Sequence, residues 1–138
     1  MATIYKGGCA CGAVRYEAAA EPIMQGQCQC RDCQKGTGSG HSCLMMFPKP
    51  ALKTTGRTSE YKRKADSGNT VAAHFCPTCG THVFGTSSGF PDMTTIHVGS
   101  LDDPEPFKPQ FVVYNFRARG WDHLDPALPK FERMPPAA

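Results

Sequence analysis

Seven of the eight cysteines in this 138-residue chain lie in three short groups, and their spacing suggests metal binding. The groups are Cys9-Ala10-Cys11, Cys28-Gln29-Cys30-Arg31-Asp32-Cys33 and Cys76-Pro77-Thr78-Cys79. Zinc binds thiolates tetrahedrally at about 2.3 Å, so a four-sulfur site takes two ligands from one turn and two from another. Cysteines separated by one or two residues supply such turns.

Cys9, Cys11, Cys76 and Cys79 are predicted to form a closed structural zinc site. The first two stand two residues apart, so at a strand end their side chains point the same way. The other two form a Cys-x-x-Cys turn before Gly80, which leaves the backbone free to curl around the thiolates. Such a site adds folding free energy to a glycine-rich domain. The alternative is four ordinary free thiols, which seldom come as turn-spaced pairs.

Cys28, Cys30 and Cys33 are left as a trio without an obvious fourth protein ligand. Three protein ligands and a vacant position are typical of a catalytic zinc, where water or substrate takes the fourth corner. Three thiolates make the metal a modest Lewis acid, yet one suited to binding and deprotonating an incoming thiol. A redox-active thiol pair and a second structural site completed by a histidine stay open as alternatives.

The remaining chemistry-bearing residues give weaker signals. Cys43 stands in an apolar run and is predicted to be a buried core thiol. Among the histidines, which show no ligand spacing, His41 follows the trio closely and could relay protons. The loop 36–40 could offer amides to a carboxylate, or be a flexible connector. Basic residues that could pair with a substrate carboxylate, or simply be solvated, are Arg31, Lys35, Arg117 and Arg119.

The length and the turn residues favour one all-β domain. A chain of 138 residues suits a single core, and 14 glycines with 12 prolines cut it into segments too short for long helices. A single domain over 1–138 is expected, with its core at about 4–125 and an extended C-terminal tail that frays at its end. The only predicted helix covers 31–35. Strands are predicted over 13–17, 42–47, 59–63, 70–75, 81–86, 93–98 and 110–114.

Charge and hydropathy limit the expected partners. The start of the chain lacks the apolar core of a secretory signal, and the longest apolar run, 43–47, is too short to span a bilayer. A cytoplasmic location is therefore expected, where thiols stay reduced. The net charge of +3 is well below that of a dedicated nucleic-acid binder and is compatible with a small anionic substrate. We expect neither nucleic acid nor membrane as a partner, and the sequence gives no oligomeric state.

Taken together and in order, the cysteine groups and their neighbours resemble the glutathione-dependent formaldehyde-activating enzyme family, which includes the centromere protein V domain. The matching segments are 8–16, 28–35, 37–39, 75–81, 107–109, Trp121 and 128–131. They extend over nearly the whole chain. One departure lies after Pro109, where relatives often carry a histidine and residues 110–113 have none.

The resemblance implies a β-tent fold, in which two antiparallel sheets lean together and zinc ties their strands. It also implies a structural zinc on Cys9, Cys11, Cys76 and Cys79, and a catalytic zinc, which could be labile, on Cys28, Cys30 and Cys33. The family's name activity joins glutathione to formaldehyde as S-hydroxymethylglutathione and is classed as a carbon–sulfur lyase. We therefore expect a zinc-dependent enzyme acting on a glutathione-like thiol and a small aldehyde.

Two other functions compete with this expectation. A zinc-stabilised binding module without catalysis could use the basic stretch 62–64, although such charges on an edge strand more often serve solubility. A methionine sulfoxide reductase of related architecture would need a reactive thiol late in the chain, and no cysteine follows Cys79. The second of these fits the sequence poorly.

Overall fold

Ten strands and one α-helix make up the described part of the chain, residues 3–135 of a computed structural model. The elements are β1 (Tyr5–Gly8), β2 (Arg15–Ala18), β3 (Met24–Cys28), α1 (Arg31–Thr37), β4 (Ser42–Pro48), β5 (Leu52–Thr55), β6 (Ser59–Lys64), β7 (Thr70–Phe75), β8 (His82–Ser87), β9 (Met93–His97) and β10 (Val112–Val113). Short 3₁₀ turns cover Lys49–Ala51, Val98–Ser100 and Asn115–Arg117. No helix among residues 3–135 combines the length and the apolar character that crossing a membrane requires.

The strands form a small and a large sheet. The small sheet has the order β1-β2-β5, and the large one the order β10-β3-β4-β9-β8-β7-β6. An all-β architecture of two sheets with little helix is thus confirmed. One pair departs from the expected antiparallel pattern, because β10 runs parallel to β3. That is the geometry of a strand that returns by a long connection instead of a hairpin.

The main core lies between the two sheets and follows the period-two alternation of their strands. On β4, Met45 and Phe47 are fully buried, whereas Leu44 and Met46 on the other face are only partly buried. Tyr16 of β2 reaches the same core from the small sheet. Side chains on adjacent strand positions point to opposite faces, so one strand contributes both to the core and to the surface beyond it.

Helix α1 is bounded by a thiol at its start and a glycine at its end. The Cys30 sulfur accepts a hydrogen bond from the Cys33 amide, and Gly38, at φ 71°, ends the helix by donating to the Gln34 carbonyl. Glycine adopts the left-handed conformation at this position without steric cost, because it has no Cβ. The helix predicted over 31–35 therefore exists and runs two residues further, to Thr37.

The C-terminal segment is tied back to the large sheet. The Val112 amide donates to the Pro129 carbonyl at 2.9 Å, and the Phe131 amide donates to the Val112 carbonyl at 2.9 Å. Contacts therefore continue past the predicted core boundary near 125, and the strand predicted over 110–114 shrinks to two residues. The end of the tail, predicted to fray, falls at 136–138, outside the described residues.

Replacement of Phe47 by alanine tests the core. Phe47 is fully buried, and its ring centroid lies 5.4 Å from that of Tyr5. Phe47→Ala should therefore lower the free energy of unfolding by about 3–5 kcal/mol, which urea denaturation measures.

Tyr61→Ala is the control for this substitution, since the Tyr61 side chain is 61% exposed. It should change the free energy of unfolding by about 0.5 kcal/mol or less. Equal effects of the two substitutions would contradict this placement of the core.

Candidate metal centres

Four cysteines meet where the small sheet joins the large one. The sulfurs of Cys9, Cys11, Cys76 and Cys79 all lie within 4.8 Å of one another. The first two follow β1, and the other two lie in the turn between β7 and β8. The residues predicted to share the structural site are therefore close enough to do so, and a metal there would fasten β1 to the large sheet.

Polar groups of the surrounding chain point at these sulfurs. The Val14 amide donates to the Cys9 sulfur at 3.2 Å, and the Cys79 amide donates to the Cys76 sulfur at 3.5 Å. The Thr81 side chain, foremost, lowers the pKa of Cys79 to about 5 by hydrogen bonding. These contacts favour thiolates, which are the form that binds metal. A set of four sulfurs is also the donor set that zinc prefers in structural sites.

The second group lies between β3 and α1. The sulfurs of Cys28, Cys30 and Cys33 lie within 4.8 Å of one another, Cys28 being buried and the other two partly buried. Over residues 3–135, no further histidine, cysteine or carboxylate atom comes within this distance of all three. The alternative of a second structural site completed by a histidine therefore finds no ligand here. Three sulfurs with an open side fit a zinc that keeps a position for substrate.

The trio ionises unevenly because its thiols are crowded. Hydrogen bonds from Cys28 and then Cys33 lower the pKa of Cys30 to about 2. The same contact with Cys30, together with Cys33 and burial, raises the pKa of Cys28 far above its usual value. A negative charge is thus concentrated on Cys30, and further ionisation needs a cation to offset the repulsion. A divalent metal ion would supply that charge.

Helix α1, which contains Cys33 and has Cys30 as its N-cap, is anchored by a buried glutamine. The side-chain amide of Gln34 donates to the Gln29 carbonyl at 2.9 Å and to the Arg117 carbonyl at 3.0 Å. Gln29 lies just after β3, and Arg117 ends the 3₁₀ turn after β10. The orientation of the trio is thereby fixed by chain segments that are far apart in sequence.

The trio forms part of the wall of a cavity of about 720 Å³. Arg31 and Arg117, two of the candidate carboxylate partners, also line this cavity, but Lys35 and Arg119 do not. Arg63, which the sequence analysis considered only as part of the basic stretch 62–64, lines it as well and pairs with Asp32 at 3.0 Å.

His41 and Cys43 lie on the wall of a second cavity of about 500 Å³, not on that of the trio. His41 Nδ1 contacts Asp122 Oδ2 at 2.7 Å. Because His41 does not line the cavity of the trio, the structure does not support a proton relay from His41 to these cysteines. The thiol of Cys43 was predicted to be buried, and it is less buried than that. Its side chain packs against the main core but is only partly buried. Of the loop 36–40, only Gly36 reaches both cavities.

Sequence reasoning missed two histidines and a tyrosine that line the larger cavity. The rings of His82 and His97 lie 5.8 Å apart, edge to face, because β8 and β9 are neighbours in the sheet. Burial, with His82 adding to it, lowers the pKa of His97 to about 4. Tyr114 adopts a left-handed backbone (φ 57°), the only described residue other than glycine to do so. No local sequence pattern marks these three positions.

The buried imidazole of His97 gives the fold a pH dependence. The pKa of His97 is about 4 in the fold against 6.5 in the unfolded chain, so the fold keeps this ring neutral at pH values where the unfolded chain protonates it. The unfolded state therefore binds more protons between these values, and stability is lost as the pH falls through this window. The loss that His97 causes should be on the order of 3 kcal/mol.

Urea unfolding of wild type and His97→Gln at pH 7 and pH 4 measures this loss. The variant should lose less stability on acidification than wild type does. His123→Gln, at an exposed position, is the control and should behave like wild type. Parallel losses in wild type and His97→Gln would contradict the assignment.

Comparison with known proteins places this fold and these cysteines in a family. A crystal structure of a Rhodobacter sphaeroides protein superposes with a TM-score of 0.59 at 18% identity, covering 91% of this chain and 98% of that one, and so shares the fold. A Penicillium rubens protein that carries the family's name is 29% identical over 90 residues, which are 63% of this chain and 47% of that protein. The chain thus spans about half the length of that relative. Residues 4–117 match the sequence model of the glutathione-dependent formaldehyde-activating enzymes, and the chain belongs to that family.

Proposed function

We propose that this chain is a zinc-dependent enzyme that joins a glutathione-like thiol to a small aldehyde. The reaction is that of an S-(hydroxymethyl)glutathione synthase, a carbon–sulfur lyase. One observation carries the proposal. Three cysteine sulfurs lie within 4.8 Å of one another on the wall of a cavity, without a fourth ligand from residues 3–135. Family membership, shown by residues 4–117, supports the same substrates.

Two kinds of zinc site follow from the two donor sets. Cys9, Cys11, Cys76 and Cys79 would hold a structural ion, and their four sulfurs would complete its coordination. Cys28, Cys30 and Cys33 would hold the catalytic ion. Zinc held by three sulfurs would offer an open coordination position, and bonding to the metal there would favour the ionised form of a substrate thiol at neutral pH.

The chain's own contribution is to hold the trio in place and to bind the polar part of the thiol. Gln34 fixes α1 against the segments that carry Gln29 and Arg117, so the sulfurs need not reorganise when substrate enters. Arg31 and Arg117 lie on the same cavity wall and carry the charge that a substrate carboxylate needs. The reaction then forms one bond between sulfur and the carbonyl carbon, and the thiol's proton ends on the former carbonyl oxygen.

A neutral imidazole also lies on this wall. Burial lowers the pKa of His97 to about 4, so the ring stays uncharged at physiological pH and is a weak base. Its N–H group can still donate a hydrogen bond. The ring lies beside His82, which lines both cavities. We assign to His97 the role of donating a hydrogen bond to the carbonyl oxygen, which becomes the new hydroxyl.

Cys30→Ser tests the proposal, and Cys43→Ser is its matched control. Cys30 is the member of the trio on which the negative charge is concentrated, and Cys43 lies outside both sulfur groups. Cys30→Ser should lower the rate of adduct formation, measured above the uncatalysed reaction, by at least about 100-fold. Cys43→Ser should retain the wild-type rate.

Zinc content and circular dichroism complete this experiment. Cys30→Ser should stay folded and retain the structural zinc, because its four ligands are untouched. A folded Cys30→Ser variant with unchanged turnover would reject the assignment. Absence of turnover in wild type, with both zinc ions bound, would favour the alternative of a binding module without catalysis.

A further inference from the structure

On the face of the large sheet that turns away from the main core, a row of uncharged and mostly apolar residues crosses five strands. Met24 pairs with Met46, Met46 with Thr95, Thr95 with Gly85, and Gly85 with Ala73. Paired residues on neighbouring strands point to the same side of a sheet. All five line the cavity of the trio, so this row, which we call the apolar row, forms its floor.

Strand β3 connects the apolar row to the trio. Gly26 and Met24 lie two and four residues before Cys28 on β3, hence on the same face. The rise of a strand puts them about 7 Å and about 13 Å from Cys28 along its length. The ring of Phe111 sits directly over Gly26, where an added Cβ would clash with it. A molecule bound at the trio and extended along β3 would therefore lie on apolar side chains, among them Leu44, the partner of Gly26.

The charged groups of the cavity lie at the other end, around α1 and the turn after β6. Arg63 is paired with Asp32 at 3.0 Å, and Arg31 donates to the Gln34 side chain at 2.6 Å. Three polar residues, Asp66, Ser67 and Asn69, come from the turn between β6 and β7. The cavity thus has a polar end, which suits the charged groups of a glutathione-like thiol, and an apolar end, which those charged groups would not occupy.

The cavity of the trio is larger than a one-carbon aldehyde needs. Cavities of roughly 300–1,000 Å³ enclose ligands of drug size, and apolar walls of this kind gain free energy only when apolar surface is buried against them. The cavity of about 720 Å³ is within that range. Formaldehyde has no apolar substituent and would leave the apolar row exposed to water.

We propose that the aldehyde substrate of this enzyme carries a bulky apolar substituent, an aryl ring or a medium-length alkyl chain, that binds on the apolar row. This inference rests on the proposed function, since it places the reacting sulfur at the trio. Sulfur adds to the carbonyl carbon, the C=O π pair becomes a lone pair on oxygen, and the thiol's proton goes to that oxygen. The substituent takes no part in bond making and adds binding energy through its burial.

A series of aldehydes with glutathione as the thiol tests the preference. Propanal, butanal and hexanal have carbonyl groups of similar reactivity and differ in apolar length. Along this series kcat/KM of the zinc-loaded enzyme, after subtraction of the uncatalysed rate, should rise about threefold per added methylene. A kcat/KM that falls or does not change along the series would overturn the proposal.

Leu44→Trp fills the apolar end and should reverse the preference. Leu44 is the partner of Gly26 on β3 and lines the cavity, so an indole group there takes the space of the substituent. The ratio of kcat/KM for hexanal to that for propanal should fall at least about tenfold. Lys62→Trp is the control. It adds the same ring to β6, on the face opposite to the one from which Arg63 lines the cavity, and should keep the wild-type ratio. An unchanged ratio in a folded Leu44→Trp variant would overturn the proposal.

A second variant and a binding measurement remain decisive if Leu44→Trp does not fold. Met46→Gln keeps the length of the side chain but makes it polar, and it should lower the same ratio. S-hexylglutathione and S-methylglutathione, which have no free thiol, mimic the product without turnover. Calorimetry should give a Kd at least about tenfold lower for the hexyl compound. Equal Kd values would overturn the proposal.

The outcomes distinguish a failure of the proposed enzyme activity from a failure of the proposed preference for an apolar aldehyde. If Cys30→Ser acts on every aldehyde as wild type does, the proposed function fails. If Cys30→Ser loses activity but neither kcat/KM nor Kd depends on the apolar substituent, only the present inference fails.

Discussion

Repulsion among crowded thiols is the constraint that governs this structure. Seven cysteine sulfurs lie in two groups, each with all members within 4.8 Å of one another. Thiolates at such distances repel unless a cation lies among them. One group joins the end of β1 to the turn between β7 and β8, and the other joins the end of β3 to α1. Each group fixes separate elements of the chain, so the charge that offsets the repulsion also holds the fold together.

The alternation of β4 separates support from substrate binding. Met45 and Phe47 fill the core between the sheets, while Leu44 and Met46 point into the cavity beside the trio. Because side chains alternate with a period of two, a shift in register by one residue would exchange the two sets. The register of β4 therefore determines which side chains form the cavity floor as well as which form the core. The surroundings of the substrate depend on the same strand pairing that stabilises the protein.

The sequence predicted local features well because turns are local. The turn at 76–80, the hairpin around it and the helix α1 depend on residues only a few positions apart. Strands β1, β3 and β5 were missed. Tyr5–Gly8 and Met24–Cys28 contain glycine and polar residues, and Leu52–Thr55 is short and mostly polar, so all three become strands only through their partners. His82 and His97 meet only through the pairing of β8 with β9, and β10 owes its place to a parallel contact with β3. Contacts between distant segments leave no mark on local spacing.

Zinc content and coordination decide whether the two cysteine groups hold different kinds of metal site. The metal of the purified protein is measured by mass spectrometry before and after mild chelation, and by X-ray absorption at the zinc edge. Two zinc ions per chain are expected. One should resist chelation and have four sulfur neighbours. The other should leave more readily and have three sulfurs and one lighter atom, because its fourth position is open. A single zinc, or two equally inert ions each with four sulfurs, would rule out this difference between the two sites.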